Sequence, residues 1–257
     1  MTRVMICGSI EESDVDLLVR EGVDAIGLIT EVSQDISCNL SRDRARALMT
    51  RIPPLVSGVL IVTEERRDEI CRMVDYIRPH AVQLHGLGGP SPDNLGRFKG
   101  QLGVKVIRTV HLHRDNGLTA NGDDPVAYAA EYASAGVDAI LLDSFGGGKV
   151  GATGRTVDFE MAFRICEAIR PCPLILAGGL SPSNVSEAIE KVRPYGVDAF
   201  SSVTNGGRLD AWKIRSFIQA VRRSDAAIYG AYTQLEPGGA ERGENSVVRH
   251  TRNKGEE

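Results

Sequence analysis

The sequence predicts an α/β fold, a single (β/α)8 TIM barrel over residues 1–223 with a C-terminal extension over residues 224–257. The tetrapeptide Gly-Val-Asp-Ala occurs three times, starting at Gly22, Gly136 and Gly196, each time before an apolar run. The intervals between the copies hold about four and about two βα units of roughly 30 residues each. Candidate strands and helices alternate within those intervals, which is typical of a barrel of eight units.

Eight apolar runs are typical of parallel strands buried on both faces. They are short and rich in Val, Ile and Leu, and they lack strict alternation. They cover residues 4–8, 23–29, 56–62, 81–86, 104–110, 137–143, 173–179 and 197–203. An open doubly wound sheet is the alternative, which is less favoured because eight units are many and the first turn lacks a GxGxxG sequence.

Amphipathic segments between these runs predict the helices. The clearest cover residues 41–52, 64–77, 157–170 and 210–223. In each repeat copy we expect the glycine to lie just past a helix end, because glycine adopts positive φ without penalty. Residues 224–257 are polar and of mixed charge, so we expect a surface appendage that becomes disordered towards its end; partner binding is the alternative.

Composition excludes several classes of protein. The net charge of −4 gives no electrostatic case for binding nucleic acid or an anionic membrane. No apolar run is long enough to span a bilayer, and the first residues lack the apolar region of a secretory signal, so we expect a cytoplasmic protein. The five cysteines contain no CxxC pair, which argues against a disulfide framework or a zinc site.

The carboxyl ends of the strands hold the active site in barrels of this class. Asp24, Asp138 and Asp198 begin strands, so we expect them to pair with backbone or helix-end groups at the opposite end. Asp143 lies five residues after Asp138, roughly 16 Å along the strand at about 3.3 Å per residue. Asp143 is therefore a candidate catalytic group, although it could instead cap a loop.

Other polar groups fall at the same end of the barrel. Cys7 ends the first strand, and Gln83 and His85 end the fourth. Cys7 could instead fill the core, and His85 could be a hydrogen-bonded rim residue. A glycine-rich segment that includes Gly154 follows strand six, where it could form a lid or let the backbone approach a ligand.

A phosphate site is expected after strands seven and eight. Gly178 and Gly179 precede a helix start, and Ser201 and Ser202 follow the last strand. Free backbone amides and the positive end of a helix attract a dianion at this place in such barrels. The two glycines could alternatively form only a tight turn.

Seven short segments together resemble the phosphoribosylanthranilate isomerase family of tryptophan biosynthesis, over residues 4–221. They are ICG (6–8), GVDAIGL (22–28), VQLHG (82–86), LLDS (141–144), GATGRTVDF (151–159), LAGGLSPSNV (176–185) and KIRSFI (213–218). The resemblance implies an Amadori rearrangement of an N-(5-phosphoribosyl) amine to a 1-amino-1-deoxyribulose 5-phosphate, without cofactor or metal, by a monomer or homodimer. It also implies that the protein is an intramolecular aldose–ketose isomerase. In that reaction Asp143 would be the general acid and Cys7 the general base.

Several positions depart from the family pattern. Met5 stands where the family has lysine, and Ser202 replaces a glycine of the phosphate loop. Cys38 replaces an arginine that binds the anthranilate carboxylate, and Arg42 or Arg44 are the candidate substitutes. These departures leave two alternatives open: a paralogue that isomerises another N-ribosyl phosphate, and a barrel that binds a phosphosugar without catalysis.

Overall fold

A closed barrel of parallel strands forms the centre of the computed structural model, which describes residues 1–34, 36–113, 117–146, 149–150 and 156–233. The strands are β1 (Arg3–Cys7), β2 (Ala25–Ile29), β3 (Ser57–Val62), β4 (Ala81–Leu84), β5 (Lys105–His113), β6 (Ala139–Gly146), β7 (Lys149–Val150), β8 (Leu174–Leu176) and β9 (Gly196–Ala199). All except β7 belong to the barrel, and β7 pairs antiparallel with the end of β6.

The barrel closes because β1 pairs with both β2 and β9, and β5 pairs with β6. Each predicted apolar run overlaps one barrel strand, so the barrel prediction is confirmed and the open sheet is wrong. Two sets of apolar side chains follow from the closure. One lies between strands and helices, and a smaller one, which includes Met5 and Cys7, fills the barrel interior.

Eight helices are found among the described residues. They are α1 (Glu12–Glu21), α2 (Arg42–Arg51), α3 (Arg67–Ile77), α4 (Pro92–Leu102), α5 (Pro125–Ser134), α6 (Phe159–Ala168), α7 (Val185–Val192) and α8 (Ala211–Thr233). The four clearest amphipathic segments contain α2, α3, α6 and most of α8. Side-chain caps fix several of the starts; for example, Ser41 accepts a hydrogen bond from the Arg44 amide, and Asp158 accepts one from the Glu160 amide. None of the described helices combines the length and apolar character that crossing a bilayer requires.

Only two of the three repeat copies are helix–strand junctions of the expected kind. Gly22 caps α1 with φ of 81°, and Gly136 follows α5 with φ of 91°. In the third copy α7 ends at Val192 and Arg193 takes the left-handed cap, so Gly196 is already the first residue of β9. The predicted cap role of Gly196 is therefore wrong. Pro194 disfavours helical geometry at the residue before it, which is consistent with the earlier helix end.

This difference shifts the third aspartate by one residue along the barrel. On one side of β1, Met5 pairs with Ala25 of β2, the residue after Asp24. On the other side, Met5 pairs with Asp198 of β9, the aspartate itself. A shift of one residue reverses the face to which a strand side chain points. Asp198 therefore faces the barrel interior, and Asp24 does not.

Asp24 and Asp138 lie at the amino ends of the strands, as expected. Asp24 accepts hydrogen bonds from the Val4 amide and the Arg3 guanidinium, both at 2.8 Å. Asp138 accepts hydrogen bonds from the Val106 amide and from Lys105, both at 2.9 Å. Both carboxylates join neighbouring strands at the end of the barrel away from the candidate site.

The last helix continues ten residues beyond the expected boundary at residue 223, to Thr233. The buried Asp225 carboxylate accepts hydrogen bonds from the Thr2 amide at 3.0 Å and from the Thr2 hydroxyl at 2.8 Å. The amino terminus of the chain is thus held against α8, and Ser224 and Asp225 are buried rather than part of a surface appendage. Residues 234–257 lie outside the described residues, so the expected extension stays a prediction.

Candidate active site

A cavity opens among the carboxyl ends of the barrel strands, with about 650 Å³ of empty space that includes the open mouth. Four side chains expected there line it, namely Cys7, Gln83, His85 and Asp143. The other lining residues are Ile29, Val32, Gln34, Ile36, Ile61, Thr63, Asp198 and Phe200. The cavity therefore has mostly apolar walls and a few polar groups that converge, which is typical of a small-molecule site.

Cys7 and Asp198 form a hydrogen-bonded pair inside this cavity. The Cys7 thiol donates to Asp198 Oδ1, with an Sγ–Oδ1 distance of 3.1 Å. Burial, followed by the negative charge of Asp198, raises the pKa of Cys7 well above its ordinary value. Burial also raises the pKa of Asp198 to about 7, although the hydrogen bond from Cys7 opposes that shift. The expectation that Asp198 pairs at the opposite end of the barrel is wrong, because the register of β9 turns it inward.

Asp143 lies on β6 and is buried. Its Oδ1 accepts a hydrogen bond from the Ser144 amide at 2.7 Å, and burial raises the pKa of Asp143 to about 6. Gly178 passes directly behind it: a Cβ at Gly178 would lie 2.8 Å from the Ser144 nitrogen and 3.2 Å from Asp143 Oδ1. Its φ of 77° also favours glycine. The loop after β8 thus supports the carboxylate of β6 by close backbone approach.

Gln83 and His85 lie on and just after β4, next to each other. The Gln83 side-chain amide donates to His85 Nδ1 at 3.1 Å and to Thr109 Oγ1 at 3.2 Å. Burial lowers the pKa of His85 well below its ordinary value, and the neighbouring His111 and Arg108 add to that shift. His85 is therefore a neutral imidazole. Gln83 Oε1 is buried and has no hydrogen-bond partner among the described residues.

Unpartnered donors occur where the phosphate site was expected. Gly178 and Gly179 both have positive φ, 77° and 69°, and within the described ranges neither backbone amide has a recorded acceptor. Ser201 and Ser202 begin a 3-10 turn (Ser201–Val203), and the buried Ser202 hydroxyl has no partner there either. Because β8 and β9 are paired, these two loops leave the same end of neighbouring strands. Gly154 lies outside the described residues.

The expected aglycone residues do not line the cavity. Cys38 is buried, and burial raises the pKa of its thiol to about 11. Arg42, at the start of α2, donates to Glu31 at 2.6 Å and to Glu69 at 2.9 Å. These two carboxylates hold the guanidinium of Arg42 outside the cavity lining. Arg44 is likewise paired with Glu12.

Asp198 and Phe200 are the main residues of the cavity that sequence reasoning missed. Phe200 lies over Gly8, where a Cβ would come within 2.6 Å of the aromatic ring and where φ is 99°. The signal for Asp198 was Pro194, which indicates that α7 ends before the third repeat copy begins. The signal for Phe200 was its position two residues after Asp198, on the same face of an extended chain.

Comparison with known proteins identifies the family of this chain. Residues 4–220 match the family model described as N-(5'phosphoribosyl)anthranilate (PRA) isomerase. A curated relative, N-(5'-phosphoribosyl)anthranilate isomerase 1 of Methanosarcina mazei, is 36% identical over 230 residues, which are 88% of this chain and 97% of that protein. The crystal structure of phosphoribosyl anthranilate isomerase from Thermotoga maritima aligns with a TM-score of 0.71 at 28% identity and covers 87% of this chain and 100% of that one.

A further solved phosphoribosyl anthranilate isomerase carries a ligand, reduced 1-(o-carboxyphenylamino)-1-deoxyribulose 5-phosphate. It aligns with a TM-score of 0.68 at 28% identity, over 87% of this chain and 100% of that chain.

Proposed function

Because this chain belongs to the N-(5'-phosphoribosyl)anthranilate isomerase family, we propose that it converts N-(5'-phosphoribosyl)anthranilate to 1-(o-carboxyphenylamino)-1-deoxyribulose 5-phosphate. The chain is an isomerase that acts on a phosphoribosyl substrate. One observation carries the assignment of the site: a carboxyl group and a thiol, Asp143 and Cys7, project into one cavity from separate strands. The cavity is built from residues of one chain, so a monomer and a homodimer both fit the proposal.

Asp143 is the proposed general acid. The ribose ring opens when a proton reaches the ring oxygen, the C1'–O bond breaks and the nitrogen lone pair forms an iminium. Burial supports this role because it raises the pKa of Asp143 to about 6, so the carboxyl group holds its proton at a higher pH than an exposed aspartate does. The Ser144 amide on Oδ1 orients the group and leaves the second oxygen to reach the ring.

Cys7 is the proposed general base, with Asp198 as its partner. The C2' proton must pass to sulfur, and a thiolate is needed to accept it. The raised pKa of Cys7 disfavours an isolated thiolate, but the hydrogen bond to Asp198 gives the thiol proton a place to go. With its pKa raised to about 7, Asp198 can hold that proton while sulfur takes the one from C2'. The resulting enamine tautomerises to the ketone, with loss of the C2' hydroxyl proton and protonation of C1'.

The 5'-phosphate is assigned to the loops after β8 and β9. The amides of Gly178 and Gly179 and the hydroxyl of Ser202 are donors in those loops that have no acceptor among the described residues. A dianion supplies several acceptors at once, and the amino end of the following helix α7 adds a favourable dipole. Gln83 and His85 remain candidates for the sugar hydroxyls because they line the cavity beside Asp143.

A direct assay tests the proposed reaction. The full chain is incubated with N-(5'-phosphoribosyl)anthranilate, and the C2' ketone of the product is followed by carbon NMR. We expect turnover, and a substrate deuterated at C2' should react several-fold more slowly in single-turnover experiments if the base step limits the rate. A soluble chain that neither forms the ketone nor complements a tryptophan auxotroph lacking this isomerase would contradict the proposal.

The cavity lining favours a second candidate, the same rearrangement of a different N-ribosyl phosphate. No arginine or lysine occurs among the described lining residues, and Cys38 stands where the family arginine is expected. A carboxylate on an aglycone bound in this cavity would meet no cation among the described lining residues. If an uncharged aniline derivative shows a higher kcat/KM than the anthranilate derivative, this second candidate is the correct one; the reverse ranking supports the first.

A further inference from the structure

Three potential metal ligands lie together at the mouth of the barrel. His85 follows β4, His111 lies on β5 and Asp143 on β6, so three adjacent strands contribute one group each. One ligand atom from each side chain lies within 4.8 Å of those of the other two. His111 is opposite Asp143 in the strand register, and the His85 and His111 ring centroids are 4.7 Å apart at 90°. Strand pairing therefore fixes the arrangement, which does not depend on long flexible side chains.

His111 has a lone pair that nothing in the described chain uses. Its Nε2–H donates to the His85 carbonyl oxygen at 2.8 Å, so in the neutral ring Nδ1 carries the lone pair. That nitrogen is buried and has no hydrogen-bond partner in the described ranges, while the whole residue is 4% exposed. A buried acceptor without a donor is costly, so the site gains from any group that takes this lone pair.

Gln83 can set His85 in the form that binds a metal. Its amide lies 3.1 Å from His85 Nδ1, and its Oε1 has no partner among the described residues. A 180° rotation of the amide turns Oε1 towards Nδ1, which then carries the proton and leaves the Nε2 lone pair free. A hydrogen bond of this kind behind an imidazole is the usual support of a metal-binding histidine.

We propose that His85, His111 and Asp143 bind a divalent transition-metal ion of the Zn²⁺ class, with further coordination positions open to the cavity. Two imidazoles and one carboxylate are a ligand set that suits zinc, cobalt and nickel, and three protein ligands with an open position are typical of non-structural sites. The expectation of no metal rests on cysteine spacing and on the family resemblance, and neither tests whether these three side chains can bind an ion.

Such an ion would inhibit the isomerase. Asp143 is the proposed general acid, and a carboxylate that coordinates a metal ion cannot donate a proton to the ribose ring oxygen. This consequence rests on the proposed function, whereas the binding site itself does not. His111 is not among the residues that line the cavity, so we expect it to be needed for the ion but not for the reaction.

The binding test uses His111→Gln in the full chain. Glutamine places an amide N–H near the position of Nε2 and can keep the hydrogen bond to the His85 carbonyl, but it removes the imidazole ligand. We expect the wild-type chain to bind one Zn²⁺ more than the variant in calorimetric titrations. We also expect Co²⁺ affinity, followed by visible absorption, to fall at least about 100-fold in the variant. His80→Asn is the matched control: His80 is an exposed histidine before β4 whose Nδ1 accepts from the Gly58 amide, an interaction that asparagine can keep.

The activity test separates inhibition from binding. Zn²⁺ should inhibit the wild-type chain and the His80→Asn variant reversibly, with recovery on addition of a chelator, while His111→Gln keeps its basal rate and resists the ion. Equal metal affinity of wild-type and His111→Gln chains, or inhibition that persists in His111→Gln, would overturn the proposal. If no substrate is turned over, the proposed function fails, and the titrations still decide whether the metal site exists.

Discussion

The Cys7 thiol and the Asp198 carboxylate form a hydrogen bond, Sγ to Oδ1 3.1 Å, across the paired strands β1 and β9. Asp198 belongs to a sequence repeat whose other two aspartates support the far end of the barrel. Two of the three aspartates therefore support the barrel, and the third lies in the candidate active site. The difference arises from where the preceding helix ends.

Replacing Asp198 by asparagine tests the role of this pair. Asparagine keeps the shape of the side chain but cannot take the thiol proton, so kcat should fall by about 10²–10⁴. Asp138→Asn is the matched control, because it changes the equivalent letter of another repeat copy at the far end of the barrel. Steady-state kinetics decide the question: equal losses in both variants would mean that Asp198 acts only through stability.

Stability should depend on pH through the same carboxyl group. The pKa of Asp198 is raised from about 3.9 in an unfolded chain to about 7 in the fold, so the folded state holds more protons between these values. The contribution of Asp198 to stability is therefore lost as the pH rises through this window. Asp198→Asn should exceed wild type in unfolding free energy by a few kcal/mol at pH 8 and by little at pH 4. Urea unfolding at both pH values measures the difference, and a gap independent of pH would contradict the assignment.

Gly178→Ala should damage both stability and activity. A Cβ there would lie 2.8 Å from the Ser144 nitrogen, in addition to the strain at positive φ, and the displaced backbone would move Asp143. Gly22→Ala is the control, because its φ is 81° but no heavy atom lies within 4 Å of the added Cβ. We expect about 1–2 kcal/mol of lost stability for Gly22→Ala with normal kcat. Gly178→Ala should lose more stability and at least tenfold in kcat; similar behaviour of the two variants would argue against the close contact.

Asp225→Ala tests the hydrogen bonds between Thr2 and Asp225, which hold the amino terminus against α8. Removing this carboxylate leaves the Thr2 amide and hydroxyl without their buried acceptor, so the unfolding free energy should fall by about 2–4 kcal/mol. Asp68→Ala, which breaks an exposed ion pair with Arg72, should cost no more than about 1 kcal/mol. Both variants should keep the wild-type kcat. If Asp225→Ala is as stable as wild type, the contact between Thr2 and Asp225 does not contribute to the free energy of unfolding.

The sequence could predict the barrel because its evidence is local and repeated. Apolar runs of strand length alternate with amphipathic segments, and this pattern places Cys7 and Asp143 at the same end. The predicted position of Asp198 is wrong because its strand register depends on the preceding loop, and a shift of one residue reverses the face of the side chain. The identical tetrapeptide in all three copies gives no indication of that shift. His111 was missed because its run was ended at residue 110, whereas β5 continues to His113 through pairing with β6. The position of Arg42 outside the cavity lining could not be predicted from the sequence either. It depends on ion pairs with Glu31 and Glu69, which are 11 and 27 residues away along the chain.

The central claim is that Asp143 supplies the proton that opens the ring and that Cys7 removes the proton from C2'. Single-turnover conversion of N-(5'-phosphoribosyl)anthranilate by Cys7→Ala, Asp143→Asn and Cys38→Ala chains tests it most directly, because Cys38 is buried outside the cavity lining. We expect losses of about 10²–10⁴ in rate for the first two variants and a near-normal rate for the third. Folded Cys7→Ala or Asp143→Asn protein that turns over at the wild-type rate would contradict it.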